Sequence, residues 1–154
     1  MEKNETKKGK SPKNTWIYLT VDTKNINERN IDEKVVFSDD RDDPPQEPGK
    51  PMDYVSTISP GMKVYWKGQP KDEGSGDVIE ITGVTAKDGK DKWKLLDSVG
   101  PEQGNKGVKV GKVKGEHIDG QEPYSVRFRI EGRKSEFEVD PKIQMELKSN
   151  SDSR

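Results

Sequence analysis

The chain has 154 residues, of which 27% are hydrophobic and 37% charged, with a formal net charge of −1 and no cysteine. That length fits one domain, and the apolar share, far below the usual near-half, leaves a thin core and much loop. The balanced charge gives no global signal for nucleic acid or a cationic partner, and the lack of thiols excludes disulfides, thiolate nucleophiles, zinc fingers and iron–sulfur clusters.

Residues 1–14 are polar and lysine-rich and are expected to be a disordered arm. They carry no apolar stretch of the kind that directs secretion. No run in the chain approaches the roughly 18 apolar residues of a membrane span. The expectation is a soluble, cytoplasmic protein with no membrane partner.

The first strand is expected in "TWIYLTVDT", where Ile17, Leu19 and Val21 share a face by the two-residue period. Trp16 and Tyr18 then point the other way. A second strand is expected around Val35 to Phe37. The acidic run after it offers Asp39, Asp40, Asp42 and Asp43. Clustered carboxylates suit hard cations, which makes these four the candidates for a weak calcium site. The spacing lacks the glycine turn and distal glutamate of a calcium-binding helix–loop–helix. A solvated acidic loop capping a strand is the simpler reading, and no metal is assigned.

Four prolines within eight residues, Pro44, Pro45, Pro48 and Pro51, predict an extended connection, because proline cannot donate to a ladder. Two strands follow, "YVSTIS" and "MKVYWKG", joined at Pro60-Gly61. In the second, Val64 and Trp66 cannot share a face with Tyr65. "GDVIEITGVT" reads as a fifth strand with Ile79 and Ile81 on one side. Trp93 to Leu96 is a short apolar segment, and "GPEQGNKG" reads as loop. In "VKVGKVKG" the valine phase slips at Gly111, which predicts a bulge there.

The clearest pattern is "YSVRFRIEGRKSEFEVDP". With a two-residue turn at Gly132-Arg133, Phe128 opposes Phe137 and Val126 opposes Val139. On the other face Arg129 opposes Glu136 and Arg127 opposes Glu138. Hydrophobic and charge patterns thus agree on one register, and glycine first fits a type II′ turn. "KIQMELK" closes the domain with Ile143, Met145 and Leu147 on one face. Residues 149–154 are expected to be a disordered tail.

No dozen residues show a helical period. The expected fold is all-β: a single antiparallel β-sandwich over 15–148, Ig-like or cupredoxin-like. A blue-copper site is excluded, since it needs two histidines and a thiolate and the chain has only His117, in a polar turn where exposure is expected. No nucleophile elbow, histidine pair or carboxylate setting supports catalysis, so no catalytic residue and no cofactor are assigned.

The lysines of "KGVKVGKVKG" read as an edge strand guarded against pairing. A nucleic-acid surface would want aromatics interleaved, and the segment lacks them, so no nucleic acid is expected. Trp16, Tyr18 and Tyr65 stand opposite core-facing residues. They are either covered by the proline-rich connection or form a self-association or ligand-binding surface. The first strand, without lysine, is expected to be the edge through which a dimer or higher assembly forms.

Taken in order, "YLTVDT", "VVFSDDRDDP", "KVYWKG" and "YSVRFRI…FEVDPKIQM" resemble the bacterial inclusion-body protein family of the AidA/PixA type, over about Trp16 to Leu147. The resemblance implies an Ig-like or cupredoxin-like sandwich without copper ligands and without an established catalytic site. Some members of that family accumulate as cytoplasmic inclusions. It therefore implies a non-catalytic structural or interaction protein that associates with itself. The alternative is a binding module for a small polar ligand such as a saccharide. The departure is the charged composition, which argues against dense self-packing.

Overall fold

The structure is a computed structural model and describes residues 12–44, 46–47, 49–87 and 92–147. The expected arm up to residue 11, the tail from residue 148, Pro45, Pro48 and the turn at 88–91 lie outside the described residues. Ten strands are present among those described: β1 Thr15–Val21, β2 Val35–Asp39, β3 Val55–Ile58, β4 Lys63–Pro70, β5 Ile79–Ala86, β6 Leu96–Pro101, β7 Lys109–Val113, β8 Gln121–Ile130, β9 Glu136–Val139 and β10 Lys142–Met145. One helical turn, α1 (Ile31–Lys34), precedes β2.

The strands form two sheets. Sheet A runs β2-β1-β4-β7-β6, and sheet B runs β3-β10-β8-β5, with β9 also paired to β8. Both are mixed. β1 lies parallel to β4 and β10 parallel to β3. The expected all-antiparallel arrangement is therefore corrected. Alternation identifies a half-buried strand, but it carries no information on the direction of the neighbour.

Sheets A and B share one core. Ile17, Leu19, Val21, Phe37, Val64 and Trp66 come from sheet A, and Tyr124, Val126, Phe128, Ile130 and Ile143 from sheet B; all are fully buried. Trp66 and Tyr124 meet edge-on at 5.7 Å between ring centroids. The indole Nε1–H donates to the Tyr124 hydroxyl at 2.9 Å. Burial pushes the Tyr124 hydroxyl pKa far above the ordinary tyrosine value, so it stays neutral. Trp93 packs on the same tyrosine at 5.8 Å.

Gly111 is not a bulge. It pairs in regular register with Val64 and shares the inner face with Val113. A Cβ there would lie 3.2–3.3 Å from Val64, Leu96 and Trp66, so the glycine makes room for the buried indole. The register shift falls on the partner strand, between Leu96 and Ser98. A second shift, between Ile81 and Gly83, sits in β5. There Ile79 and Ile81 face inward before it and Val84 and Ala86 after it. A glycine at a phase slip does mark a bulge, but at Gly83.

Two other expectations change. β6 extends through Gly100 and Pro101, which had read as loop. β7 and β1 are both interior strands of sheet A, so neither is the edge that its lysines or its lack of them suggested. The edge strand β2 is closed by the proline-rich connection. Phe37 N–H donates to Gln46 Oε1 at 2.8 Å, and Gln46 Nε2 donates to Val35 O at 3.1 Å. One glutamine side chain thus satisfies backbone groups that would otherwise invite another chain.

The C-terminal hairpin has the expected register, with Phe128 opposite Phe137 and Arg127 opposite Glu138. The turn differs. Arg133 N–H donates to Ile130 O at 2.9 Å, and Gly132 has φ +90°. The turn therefore centres on Glu131-Gly132, with glycine second, as a type II turn requires. Phe128 is fully buried, whereas Arg127 reaches Glu138 only at 3.9 Å and is partly exposed. Phe128→Ala is expected to cost about 3–5 kcal/mol and Arg127→Ala under about 1 kcal/mol. Urea midpoints that rank the two the other way would contradict this packing.

Candidate functional site

Trp16, Tyr18 and Tyr65 come together on the outer face of sheet A. Trp16 on β1 stands directly beside Tyr65 on β4. Their rings stack at 4.2 Å with planes 8° apart. Tyr18 lies 6.4 Å from Trp16, at 17°, about the rise of two strand residues. Val110 on β7 is next in register after Tyr65. Tyr65 and Val108 are buried, yet neither belongs to the main core cluster. Tyr65 is thus buried from the outer side of the sheet, while Trp16 and Tyr18 beside it are half-buried.

Lysines surround this aromatic patch. Lys63 and Lys67 lie two residues either side of Tyr65, and Lys112 two beyond Val110, all exposed. Lys63 sits directly opposite Lys112. Like charges opposed across strands are unfavourable. Among the described residues none of the three lysines has an ion-pair partner. Tyr18 is Lys67's neighbour on β1. The one acid at the ring cluster is Asp40, at the β2 rim, whose Oδ1 accepts from Trp16 N–H at 2.9 Å. Burial first, then the Asp40 charge, push the Tyr18 pKa above its ordinary value.

The acidic run is solvated only at Asp40 and Asp42, and it does cap a strand, through Asp43. Asp39 shares the inward parity of Val35 and Phe37 and reaches the seam between the sheets. Its Oδ2 accepts from Tyr54 Oη at 2.5 Å and Ser56 Oγ at 2.9 Å, and its Oδ1 from Arg41 N–H at 2.9 Å. Asp43 accepts from the Thr57 N–H and Oγ1–H, both at 2.8 Å, which caps β3. Asp39 and Asp43 are also hydrogen-bonded to each other.

Burial pushes the Asp43 carboxyl up, and the bond to Asp39 adds to that. For Asp39 burial also pushes upward, but the bonds from Asp43, Tyr54, Arg41 and Ser56 outweigh it and hold the pKa below the ordinary range. The two carboxyls are thus pushed apart in pKa, Asp43 upward and Asp39 downward. Asp40 and Asp42 stay exposed at the rim, and Asp42 takes φ +66°, a left-handed conformation that aspartate tolerates.

Arg41, its side chain 7% exposed, donates to Thr15 Oγ1 at 3.0 Å, Ser59 Oγ at 3.1 Å and Glu146 Oε1 at 3.0 Å. It ties β1, the end of β3 and the end of β10 together. His117 is not exposed as expected: its side chain is 15% exposed and Nε2 lies 2.9 Å from Glu146 O, so that nitrogen carries the hydrogen. The seam therefore locks the two sheets together. Its carboxylates already accept from internal donors, and among the described residues no three His, Cys, Asp or Glu side chains converge as metal ligands.

Two shallow depressions mark the surface. One of about 440 Å³ includes Arg29, Arg133 and Phe137, and one of about 290 Å³ includes Gln46, Lys50 and Tyr54. Neither contains Trp16, Tyr18 or Tyr65.

The chain matches no family model, and no curated protein matches it. Among solved structures it is similar to the crystal structure of the inclusion body protein PixA from Burkholderia cenocepacia, with a TM-score of 0.59 and 15% identity, covering 89% of this chain and 98% of that one. At this identity the likeness is one of fold: a two-sheet β architecture shared along nearly all of both chains. It agrees with the resemblance read from the strand order.

The acidic pair gives a pH test. A raised Asp43 contributes stability that is present below the ordinary carboxylate pKa and lost as pH rises through its folded value. Asp39, held low, contributes stability present above the ordinary value and lost as pH falls through its folded value. Asp43→Asn keeps an acceptor for the Thr57 N–H and a permanent donor for Asp39. The wild type is therefore expected to lose stability relative to this variant as pH rises from the acid side to neutrality, read as urea midpoints across that range. Parallel profiles would show that Asp43 holds no extra proton.

Proposed function

We propose that the chain is a non-catalytic interaction protein whose working surface is the outer face of sheet A. One observation carries this reading. A chain with few apolar residues places Trp16, Tyr18 and Tyr65 on the solvent side of its two central strands, β1 and β4, within stacking distance. Tyrosine and tryptophan are enriched at interaction surfaces, and Trp16 and Tyr18 remain only half-buried. The acidic seam, the other concentration of polar groups, is spent on joining the sheets. The fold likeness to an inclusion body protein supports a structural or binding role, and the lack of cysteine fits a cytoplasmic setting.

Association of copies is one use of such a face. The β2 edge is capped by Gln46, so copies would meet through faces rather than edges. A two-fold contact would bring Lys63, Lys67 and Lys112 of each copy together, so the dimer is weak and strengthened by salt. Sedimentation at increasing concentration is expected to show a monomer–dimer equilibrium that shifts toward dimer with added salt. It is expected to vanish in Trp16→Ser with Tyr18→Ser. A strictly monomeric wild type at millimolar concentration would overturn self-association.

A further inference from the structure

We infer that the outer face of sheet A binds single-stranded nucleic acid without sequence preference, its bases stacking on Trp16 and Tyr18 and its phosphates lying along Lys63, Lys67 and Lys112. This rests on the reading of that face as the working surface and names its partner. Two independent features point to a polyanion with flat, aromatic groups.

The first is charge. Three exposed lysines stand on β4 and β7 without ion-pair partners among the described residues, and two of them oppose each other in register. A protein of net charge −1 has acids enough to neutralise them, yet among the described residues no ion pair forms with them, and Asp40 meets the rings from the far rim. An anionic partner relieves the Lys63–Lys112 repulsion that the fold leaves in place. Lysine, a compact point charge, suits phosphates read without geometric specificity.

The second is the rings. Base–aromatic stacking is sequence-tolerant because every base offers a π-face. Rings on the outer face of an open sheet are a known platform for stacking two or three bases. Here Tyr65 backs Trp16 at 4.2 Å and holds it in place, and the half-buried Trp16 and Tyr18 keep part of their surface open to a ligand. Lys63 and Lys67 lie four strand residues apart, about 13 Å, a span that two or three extended nucleotides cover. An acidic peptide would meet the lysines but would leave the rings without a stacking partner. The sequence discounted nucleic acid because it sought aromatics inside the lysine segment. The parallel pairing of β1 with β4 supplies them from elsewhere in the chain.

The test uses the full chain and fluorescein-labelled oligo(dT) and oligo(U) of about 12 nucleotides, with polyglutamate as the peptide polyanion. Anisotropy at about 50 mM salt is expected to show binding of both oligonucleotides, weakening with salt on a log–log slope of about −2. Trp16→Ser is expected to weaken binding by about 5-fold or more. Lys63→Ser with Lys112→Ser is expected to flatten the salt dependence. Quenching of tryptophan emission gives a second readout on the unmutated protein, because Trp66 and Trp93 are buried and Trp16 alone can stack.

Polyglutamate binding as tightly as oligo(dT), with no effect of Trp16→Ser, would overturn the stacking assignment. So would oligonucleotide binding that leaves tryptophan emission unchanged. No oligonucleotide binding at low salt, with salt-promoted dimerisation intact, would overturn the partner and leave the interaction surface standing. Loss of both would overturn the two readings together.

Discussion

The hydrogen bond from the Trp66 indole to the Tyr124 hydroxyl joins the two sheets at their centre. Both groups are fully buried, so neither has water as an alternative partner. An unpaired donor or acceptor in that position would cost about 1–3 kcal/mol. The chain has few large apolar residues and spends two of the largest on this contact. Gly111 gives up its side chain to admit the indole, and Trp93 closes over the tyrosine. The orientation of β4 against β8 follows from that geometry. So does the outward direction of Tyr65, the residue before Trp66, since neighbouring strand residues face opposite ways.

A thin core needs its edges closed by other means. On the β2–β3 side polar side chains do this. Gln46 stands in for a strand beside β2, Asp43 caps β3, and Arg41 ties both to Glu146 at the end of β10. Asp39 accepts from Tyr54 and Ser56 across the seam. The acidic run is thus structural. Asp39 and Asp43 turn inward, whereas Asp40 and Asp42 stay exposed at the rim.

Much of the fold was legible in the sequence because alternation and cross-strand complementarity are local. The pairing of Phe128 with Phe137, and of Arg127 with Glu138, followed from residues ten or so apart. The inward faces of β1 and β10 followed from period two. What was not legible was non-local. The parallel pairs β1–β4 and β3–β10 depend on crossovers that leave no mark on either strand. The bulge rule was sound, but Gly111 and Gly83 differ only in what packs against them. Asp39 did carry a signal that was passed over: it continues the inward parity of Val35 and Phe37. Parity alone placed Trp16, Tyr18 and Tyr65 off the core face, but their stacking and the lysines around them needed the tertiary pairing.

The structure thus divides its aromatic residues between an inner set that holds the sheets together and an outer set stacked on the far face of sheet A. The inner use is the more fundamental, since it fixes which residues are presented outside. A double-mutant cycle of Trp66→Phe and Tyr124→Phe, read by urea unfolding, tests it most directly. Each single change strands a buried polar group and is expected to cost at least about 1 kcal/mol. The double change strands neither, so it is expected to cost well under the sum of the two, with a coupling of about 1 kcal/mol or more. Strictly additive losses would contradict the account, because they would mean that the two groups do not depend on each other.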